Sequence, residues 1–508
     1  MNTLLNGMKN ATNYTYTENG ALTHKTSMSG LLDLFGMGAA YRTRSDSDCI
    51  VLFQDAFKEN HVYALKCLFY LRDVRGGQGE RRFFRVVTKW LADHETAAMR
   101  RNLQYVPEFG RWDDLYVFVG TKLENEAFDF IKKQLLLDIE CKTPSLLAKW
   151  LKSENTSSKE SRVLADRTRQ AFGMTHKQYR KTLSLLRERI NIVERLMSAG
   201  KWDEIEFDKI PSRAGLIYRN AFARHDIERM KSEKQVRSYE DFMKDEKTTV
   251  NAKALYPYEV VSQAYNLTNT RSWWSAPSSI DDVDPVQRNA INKYWDNLKN
   301  VFEGYSFNGL CMCDTSGSMW GSEASAPINV AISIALYCAE KAKGPFAGHY
   351  ISFSRNPQLI KTNGIDFVDK VYRIYKTNIC ENTNIEAAFD LVLQTAIKNH
   401  IPQSEMMENI IVCSDMEFDA GRGYYERNSN STLMENIERK WNAAGYKMPN
   451  LIYWNIQARQ NNVPMKVKDG ISFVSGMSPT IFTQIMTDKT AFDLMYDVLD
   501  QDRYSCIN

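Results

Sequence analysis

The chain has 508 residues, 43% of them hydrophobic and 12% aromatic, with 65 Lys and Arg against 62 Asp and Glu. That length and apolar content exclude a disordered or collagen-like chain and predict two or more domains with sizeable cores. No apolar run of about 18 residues occurs, which predicts that no helix crosses a membrane.

The start, Met1-Asn-Thr-Leu-Leu-Asn-Gly-Met8, has neither the charged beginning nor the apolar stretch of a secretory signal. Nine scattered cysteines form no Cys-x-x-Cys pair, which predicts reduced thiols, a cytoplasmic setting and no structural zinc. The charge is divided unevenly. Residues 1–300 carry 47 Lys and Arg against 39 Asp and Glu, and residues 301–508 carry 18 against 23. The first part can meet a polyanion, and the second is mildly acidic.

Residues 1–48 are rich in Asn, Thr, Ser and Gly and read as an arm with limited regular structure. From 49 to 265 the pattern is helical. Leu183, Leu186, Ile190, Val193 and Met197 recur at steps of three and four, as do Phe83, Val87, Trp90 and Leu91. Gly and Pro punctuate the segments, which predicts an all-α helical-repeat module without a clean sequence period. Residues 266–303 change character and read as a junction, with Trp273-Trp274 as an interface anchor and an amphipathic helix over 286–302. Beyond it, short apolar strands at 309–313, 348–353, 410–413, 451–454 and 471–474 alternate with helices, among them 326–343, 385–398 and 490–499. Such alternation predicts a doubly wound, mostly parallel sheet, so the fold class is α followed by α/β.

One basic motif stands out in the helical half: Leu71-Arg72-Asp73-Val74-Arg75-Gly76-Gly77-Gln78-Gly79-Glu80-Arg81-Arg82, with Arg85 close by. Free backbone N–H groups and the forks of Arg72, Arg75, Arg81, Arg82 and Arg85 suit phosphate. A tight interhelical turn with internal Arg–Asp pairs is the other reading, and spacing alone leaves both open. Gln78 does not complete a phosphate loop and no Gly-Lys-Ser/Thr follows, which argues against nucleotide hydrolysis. A second basic stretch offers Lys177, Lys181 and, less closely, Arg187 on one helix face for RNA; an ordinary solvated face opposite the Leu183–Met197 stripe is the other reading, and the pattern leaves both open.

The tightest chemical constraint is Asp314-Thr-Ser316-Gly-Ser318, between an apolar strand and a helix. One carboxylate and two hydroxyls within five residues can face a small hard cation such as Mg²⁺, which takes oxygen ligands. Asn382-Thr383-Asn384 opens a later helix, and Ser414-Asp415 ends a later strand, so three loops meet where an open α/β sheet binds ligands. No Gly-x-Ser-x-Gly surrounds either serine, and no second carboxylate stands two residues after Asp314, so no catalytic constellation is found.

These residues closely resemble the metal-ion-dependent adhesion site of von Willebrand factor A domains, over about residues 303–508. The resemblance implies a Rossmann-like domain over 304–508. It also implies a divalent-cation site of Asp314, Ser316, Ser318, Thr383 and Asp415 that takes a carboxylate from a protein partner. Asn382 stands where that family often has glycine, and Asp419 competes with Asp415.

The Arg72–Arg81 stretch, with Phe109-Gly-Arg-Trp-Asp-Asp114, Ile210-Pro-Ser-Arg-Ala214 and Arg224-His-Asp226, resembles the TROVE-type module of the Ro autoantigen family. That family also ends in a von Willebrand A domain, and an uncharacterised intracellular and viral branch is the nearest match. The resemblance implies a HEAT-like helical ring over 49–265 that binds structured RNA and single-stranded RNA ends, mainly through phosphates. The expected function is a non-catalytic, Ro-type RNA-binding scaffold with a Mg²⁺-dependent adhesion site. The alternative is a metal-dependent assembly module that binds no nucleic acid.

Overall fold

The structure is a computed structural model and describes residues 8, 12–232, 234, 236–268, 279–353, 356–377, 382–420, 431–485 and 490–508. The chain divides into two compact units, one of residues 1–67 with 252–501, the other of residues 68–251 with 502–508. Trp273 and Trp274 lie outside the described residues.

The first unit is built on a six-stranded sheet. Its strands are β3 (Gly309–Asp314), β4 (His349–Phe353), β5 (Gln358–Lys361), β6 (Asn409–Ser414), β7 (Asn450–Asn455) and β8 (Ile471–Ser475); a separate hairpin holds β1 (Tyr14–Tyr16) and β2 (Leu22–His24). The order is β5-β4-β3-β6-β7-β8, parallel throughout except for the β4–β5 pair. All six residues of β3 are buried, as are five of six in β6 and β7. Strands covered on both faces need continuous apolar runs, which is why the sequence reveals them. At about 1.5–3 kcal/mol for each fully buried large aliphatic, these central strands supply much of the unit's stability. Helix Pro327–Lys341 packs on β3, β4 and β6, and helix Ile385–Lys398 packs on β4 and on helix Leu433–Ala443. From β3 the chain moves to β4 on one side, and later returns to β6 on the other. The connection reverses direction there, so the carboxyl ends of β3 and β6 flank the crevice of the sheet.

The expected N-terminal arm is instead part of this unit. Tyr14 pairs with His24 in the β1–β2 hairpin, and helix Gly30–Met37 packs on β8. Ser29 caps that helix by accepting the Leu32 N–H at 3.2 Å. Gly36 lets the helix approach β8, since a Cβ there would stand 3.0 Å from Phe473 Cβ. The polar composition misled because the segment borrows a core that lies far along the chain. Helix Pro257–Thr268, read as the end of the helical module, also belongs here, packed on Pro327–Lys341.

The second unit is helical, with Arg82–His94, Glu124–Glu140, Lys159–Phe172, His176–Arg189 and Ser212–Arg224 as its longer members. Thr175 and Gln178 form a capping box, and Gly173 takes the left-handed turn (φ 69°) that ends the preceding helix. The stripe from Leu183 to Met197 is not one helix: Asn191 has φ 46°, and a new helix runs Val193–Ser198. Residues 502–508 complete this unit. The Tyr504 hydroxyl donates to Asp73 Oδ2 at 3.0 Å, Arg503 Nη2 donates to Asp73 Oδ1 at 2.7 Å, and the Tyr504 ring stacks on Phe109.

Candidate metal centre and basic motif

The register of β3 against β6 pairs Cys313 with Cys413, so Asp314 and Ser414 come level at the strand ends. The Ser414 hydroxyl donates to Asp314 Oδ2 at 2.5 Å, and the Ser316 N–H donates to Asp314 Oδ1 at 2.9 Å. The chain then turns through a short 3-10 segment, Gly317–Met319, which sets the Ser316 and Ser318 hydroxyls 3.1 Å apart. Asp415 follows β6, and its Oδ1 accepts the Glu417 N–H at 3.2 Å. Between them Met416 has φ 66°, a left-handed conformation that costs about 1 kcal/mol for a residue with a side chain. Asp314, Asp415, Ser316 and Thr383 are each at most 2% exposed.

Burial pushes the Asp314 and Asp415 carboxyls up, and the Asp415 charge adds to the rise at Asp314. The nearby Ser318 hydroxyl opposes the rise at Asp415. Among the described residues Asp415 Oδ2 is buried without a hydrogen-bond partner, and Arg459 Nη1 stands 4.0 Å from it. A buried carboxylate oxygen left without a donor is costly, and the Arg459 guanidinium at 4.0 Å offsets that cost only in part. Serine hydroxyls and carboxylates form the oxygen-only donor set that suits Mg²⁺. Of the residues expected from sequence, the structure brings Asp314, Ser316, Ser318 and Asp415 together. Thr383 is joined to the third loop, its carbonyl accepting the Asp419 N–H at 3.0 Å.

Sequence reasoning missed the turn between β1 and β2, which covers that loop. Thr17 Oγ1 donates to the Phe418 carbonyl at 2.7 Å, and the Glu18 N–H donates to Glu417 Oε2 at 2.7 Å. Asn19 Nδ2 donates to the Glu417 carbonyl at 2.6 Å and, at 3.4 Å, to Thr383 Oγ1. Gly20 pairs with Asp419 as an isolated bridge. Glu417 is pushed up to about 7, first by burial, with Asp415 and Glu18 adding to the rise. Nothing local in residues 17–20 marks this role, because the partners lie some 400 positions away.

In the helical unit the basic motif divides. Arg72 is 1% exposed and spends Nε and Nη2 on Asp114 Oδ2, at 2.9 and 2.7 Å, so it has no surface to offer RNA. Burial alone would raise the Asp114 carboxyl, but Arg72 and Arg85 hold it below the usual range. The glycines serve a tight turn: a Cβ on Gly77 would lie 2.0 Å from the Tyr70 carbonyl oxygen. Arg187 is likewise committed, donating to the carbonyls of Ala148 and Leu151 at 2.8 Å each and to Ser153 Oγ at 2.9 Å. Arg75, Arg81, Lys177 and Lys181 are exposed, and Arg82 is half-buried. A further acidic group, Glu154, Asp166 and His176, is crossed by Arg169, whose Nη2 lies 2.5 Å from Asp166 Oδ1 and Nε 3.3 Å from Glu154 Oε1. That guanidinium already supplies the positive charge.

The class is therefore a two-unit protein, a helical unit with an open α/β sheet whose switch point gathers carboxylates and hydroxyls. The family model described as a domain of unknown function, DUF2828, matches residues 17–171 and 145–302, and that of another, DUF7788, matches residues 308–503. Uncharacterized protein L728 of Acanthamoeba polyphaga mimivirus is 30% identical over 513 residues, covering 93% of this chain and 85% of that protein. The chain belongs to the DUF2828 family and is a relative of that viral protein over nearly its whole length. Among solved structures it is similar to the Deinococcus radiodurans Ro (RSR) protein, at 11% identity and TM-score 0.35, over 93% of this chain and 99% of that one. Among the described residues, no helix is long and apolar enough to cross a membrane.

Proposed function

We propose that the protein is a non-catalytic scaffold of Ro type. In this reading the HEAT-like, TROVE-like helical unit binds RNA. The von Willebrand A-like sheet holds Mg²⁺, or another divalent cation, at Asp314, Ser316, Ser318, Asp415 and Thr383. A cation bound there supplies a point of attachment for the carboxylate of a protein partner. The observation that carries the reading is Asp415 Oδ2, buried and, among the described residues, without a hydrogen bond, in a site that also holds two hydroxyls and a second buried carboxylate. The RNA part rests on the exposed cations Arg75, Arg81, Lys177 and Lys181. A second reading keeps the cation site and drops the RNA; the internal commitment of Arg72 and Arg187 favours it.

The two are separated by purifying the full chain and an Asp314→Ala variant from cells and sequencing the nucleic acid that accompanies each. Mobility shifts with structured and single-stranded RNA at low and moderate salt go beside this. The first reading expects RNA with both proteins, binding that weakens steeply with salt, and a loss on Arg75→Ala with Arg81→Ala. No RNA at low salt rejects it in favour of the second. A partner captured equally well with chelator and with Ser316→Ala rejects the metal bridge in both.

A further inference from the structure

We infer that Arg81, with Arg85 and Arg111 beside it, forms a binding site for a single phosphate group in the helical unit. The site starts from two aspartates that hold three arginines. Arg111 donates Nε to Asp113 Oδ1 and Nη2 to Asp113 Oδ2, both at 2.9 Å. Arg85 donates Nη2 to Asp113 Oδ2 at 3.1 Å and Nε to Asp114 Oδ1 at 2.7 Å. Arg72 takes the remaining oxygen of Asp114. Arg85 and Arg111 thus meet at one carboxylate oxygen, and among the described residues the Nη1 of neither donates a hydrogen bond.

Arg81 is the fourth guanidinium. It immediately precedes helix Arg82–His94, and its carbonyl accepts the Arg85 N–H at 3.0 Å. Residues four apart share a helix face, so Arg81 stands one turn from Arg85. Among the described residues the Arg81 side chain has no hydrogen bond and no ion pair. Loss of water around its guanidinium, then repulsion from Arg111, Arg85 and Arg72, pulls its pKa down to about 10, although the residue as a whole is exposed. Four positive charges therefore face two negative ones, and the unpaired fork is the one nearest solvent. Arg111 is fixed in place by stacking over the Trp150 ring, 4.0 Å from its centroid, so little side-chain freedom is lost when a ligand arrives.

An excess of two positive charges matches a phosphate monoester, which carries about −1.5 to −2 near neutral pH, better than a carboxylate. Arginine forks also bind phosphate oxygens in pairs. The ligand is free phosphate or the terminal phosphate of an RNA strand. The inference deepens the RNA reading above and rests on it only for the second source.

The test uses the full chain, wild type and Arg81→Gln. Among the described residues the Arg81 side chain bonds nothing, and its carbonyl bond to the Arg85 N–H is kept in the variant, so the replacement leaves the fold intact. Thermal melts are compared in chloride and in inorganic phosphate at matched ionic strength. Wild type is expected to gain about 2–4 °C in phosphate near ten times its Kd, and Arg81→Gln less than half of that, with an unchanged or higher Tm in chloride. An equal gain in both proteins overturns the site, because general salt effects act on both alike. Fluorescence anisotropy with one short oligoribonucleotide, 5′-phosphorylated or 5′-hydroxyl, identifies the source. Tighter binding of the phosphorylated strand, lost in Arg81→Gln, assigns the site to strand ends. An Arg81-dependent melt shift without that preference assigns it to free phosphate. RNA binding that ignores Arg81, with no melt difference, removes the site and leaves the RNA reading standing. An Arg81-dependent melt shift without any RNA binding does the reverse.

Discussion

Glu18 Oε2 lies 2.7 Å from Arg459 Nη2, and the same guanidinium stands 4.0 Å from Asp415 Oδ2. A residue near the start of the chain is thereby tied, through one arginine, to the third loop of the candidate metal centre. Arg459 supplies part of the positive charge that Asp415 lacks. It therefore competes with any cation at that carboxylate. Arg459→Gln is expected to tighten divalent-cation binding by about two- to fivefold, a modest gain because the arginine is partly exposed and screened. Terbium luminescence or calorimetry with Mg²⁺ measures it. Weaker binding in the variant would mean that Arg459 supports the site rather than competes for it.

Asp415→Asn separates the cost of the buried charge from its use. Without metal the variant removes an ion that burial disfavours, so its Tm in chelator is expected to match or exceed that of wild type. With Mg²⁺ in excess, wild type gains stability by mass action and the variant does not. Melts in chelator and in Mg²⁺ give both numbers. A variant that is less stable in chelator and still responds to Mg²⁺ would contradict the assignment of Asp415 as a ligand.

Asp33 offers a pH test away from the metal centre. Burial raises its carboxyl from 3.8 to about 6, against the opposing Ser27 N–H that donates to Oδ1 at 2.8 Å. The folded state holds the proton more tightly than the unfolded one. The stability this gives is fully present below pH 3.8 and is lost as pH rises through about 6. Relative to Asp33→Asn, wild type is expected to lose up to about 3 kcal/mol between those limits, at 1.36 kcal/mol per pKa unit. Urea unfolding at several pH values checks the sign. A wild-type advantage that grows with pH would refute it.

Arg72 and Arg75 sit three residues apart and should behave in opposite ways. Arg72→Ala strands part of a buried carboxylate and is expected to cost about 3 kcal/mol, the lower end for a broken buried pair, because Arg85 still holds Asp114. Arg75→Ala alters an exposed side chain and should change stability by less than about 0.5 kcal/mol. Denaturant melts distinguish them. RNA-binding losses in Arg72→Ala would then report unfolding, whereas those in Arg75→Ala would report contact.

The sheet was legible for a simple reason. The five parallel strands read from the sequence correspond to β3, β4, β6, β7 and β8, and helix Ile385–Lys398 has the bounds its pattern predicts. The missed strands lack that pattern: β5 is largely exposed, and β1 and β2 have three residues each. The final helix runs Ala491–Leu499, with Thr490 as its cap.

The sequence by itself determined the buried parallel strands, the helices that alternate with them and the loop chemistry. Apolar continuity, turn residues and the Asp314-x-Ser316-x-Ser318 spacing are local, and local patterns survive in one dimension. Only the tertiary structure decided which core each element buries in and which charges are already spent. The hairpin turn at Thr17–Gly20 rests on a loop near Glu417, Tyr504 rests on Asp73, and Arg72 finds Asp114, whereas among the described residues the Arg81 side chain finds no hydrogen bond or ion pair. These pairings join residues 42 to 431 positions apart. No periodicity records them, because burial and pairing are properties of where the chain returns, not of what precedes or follows a residue.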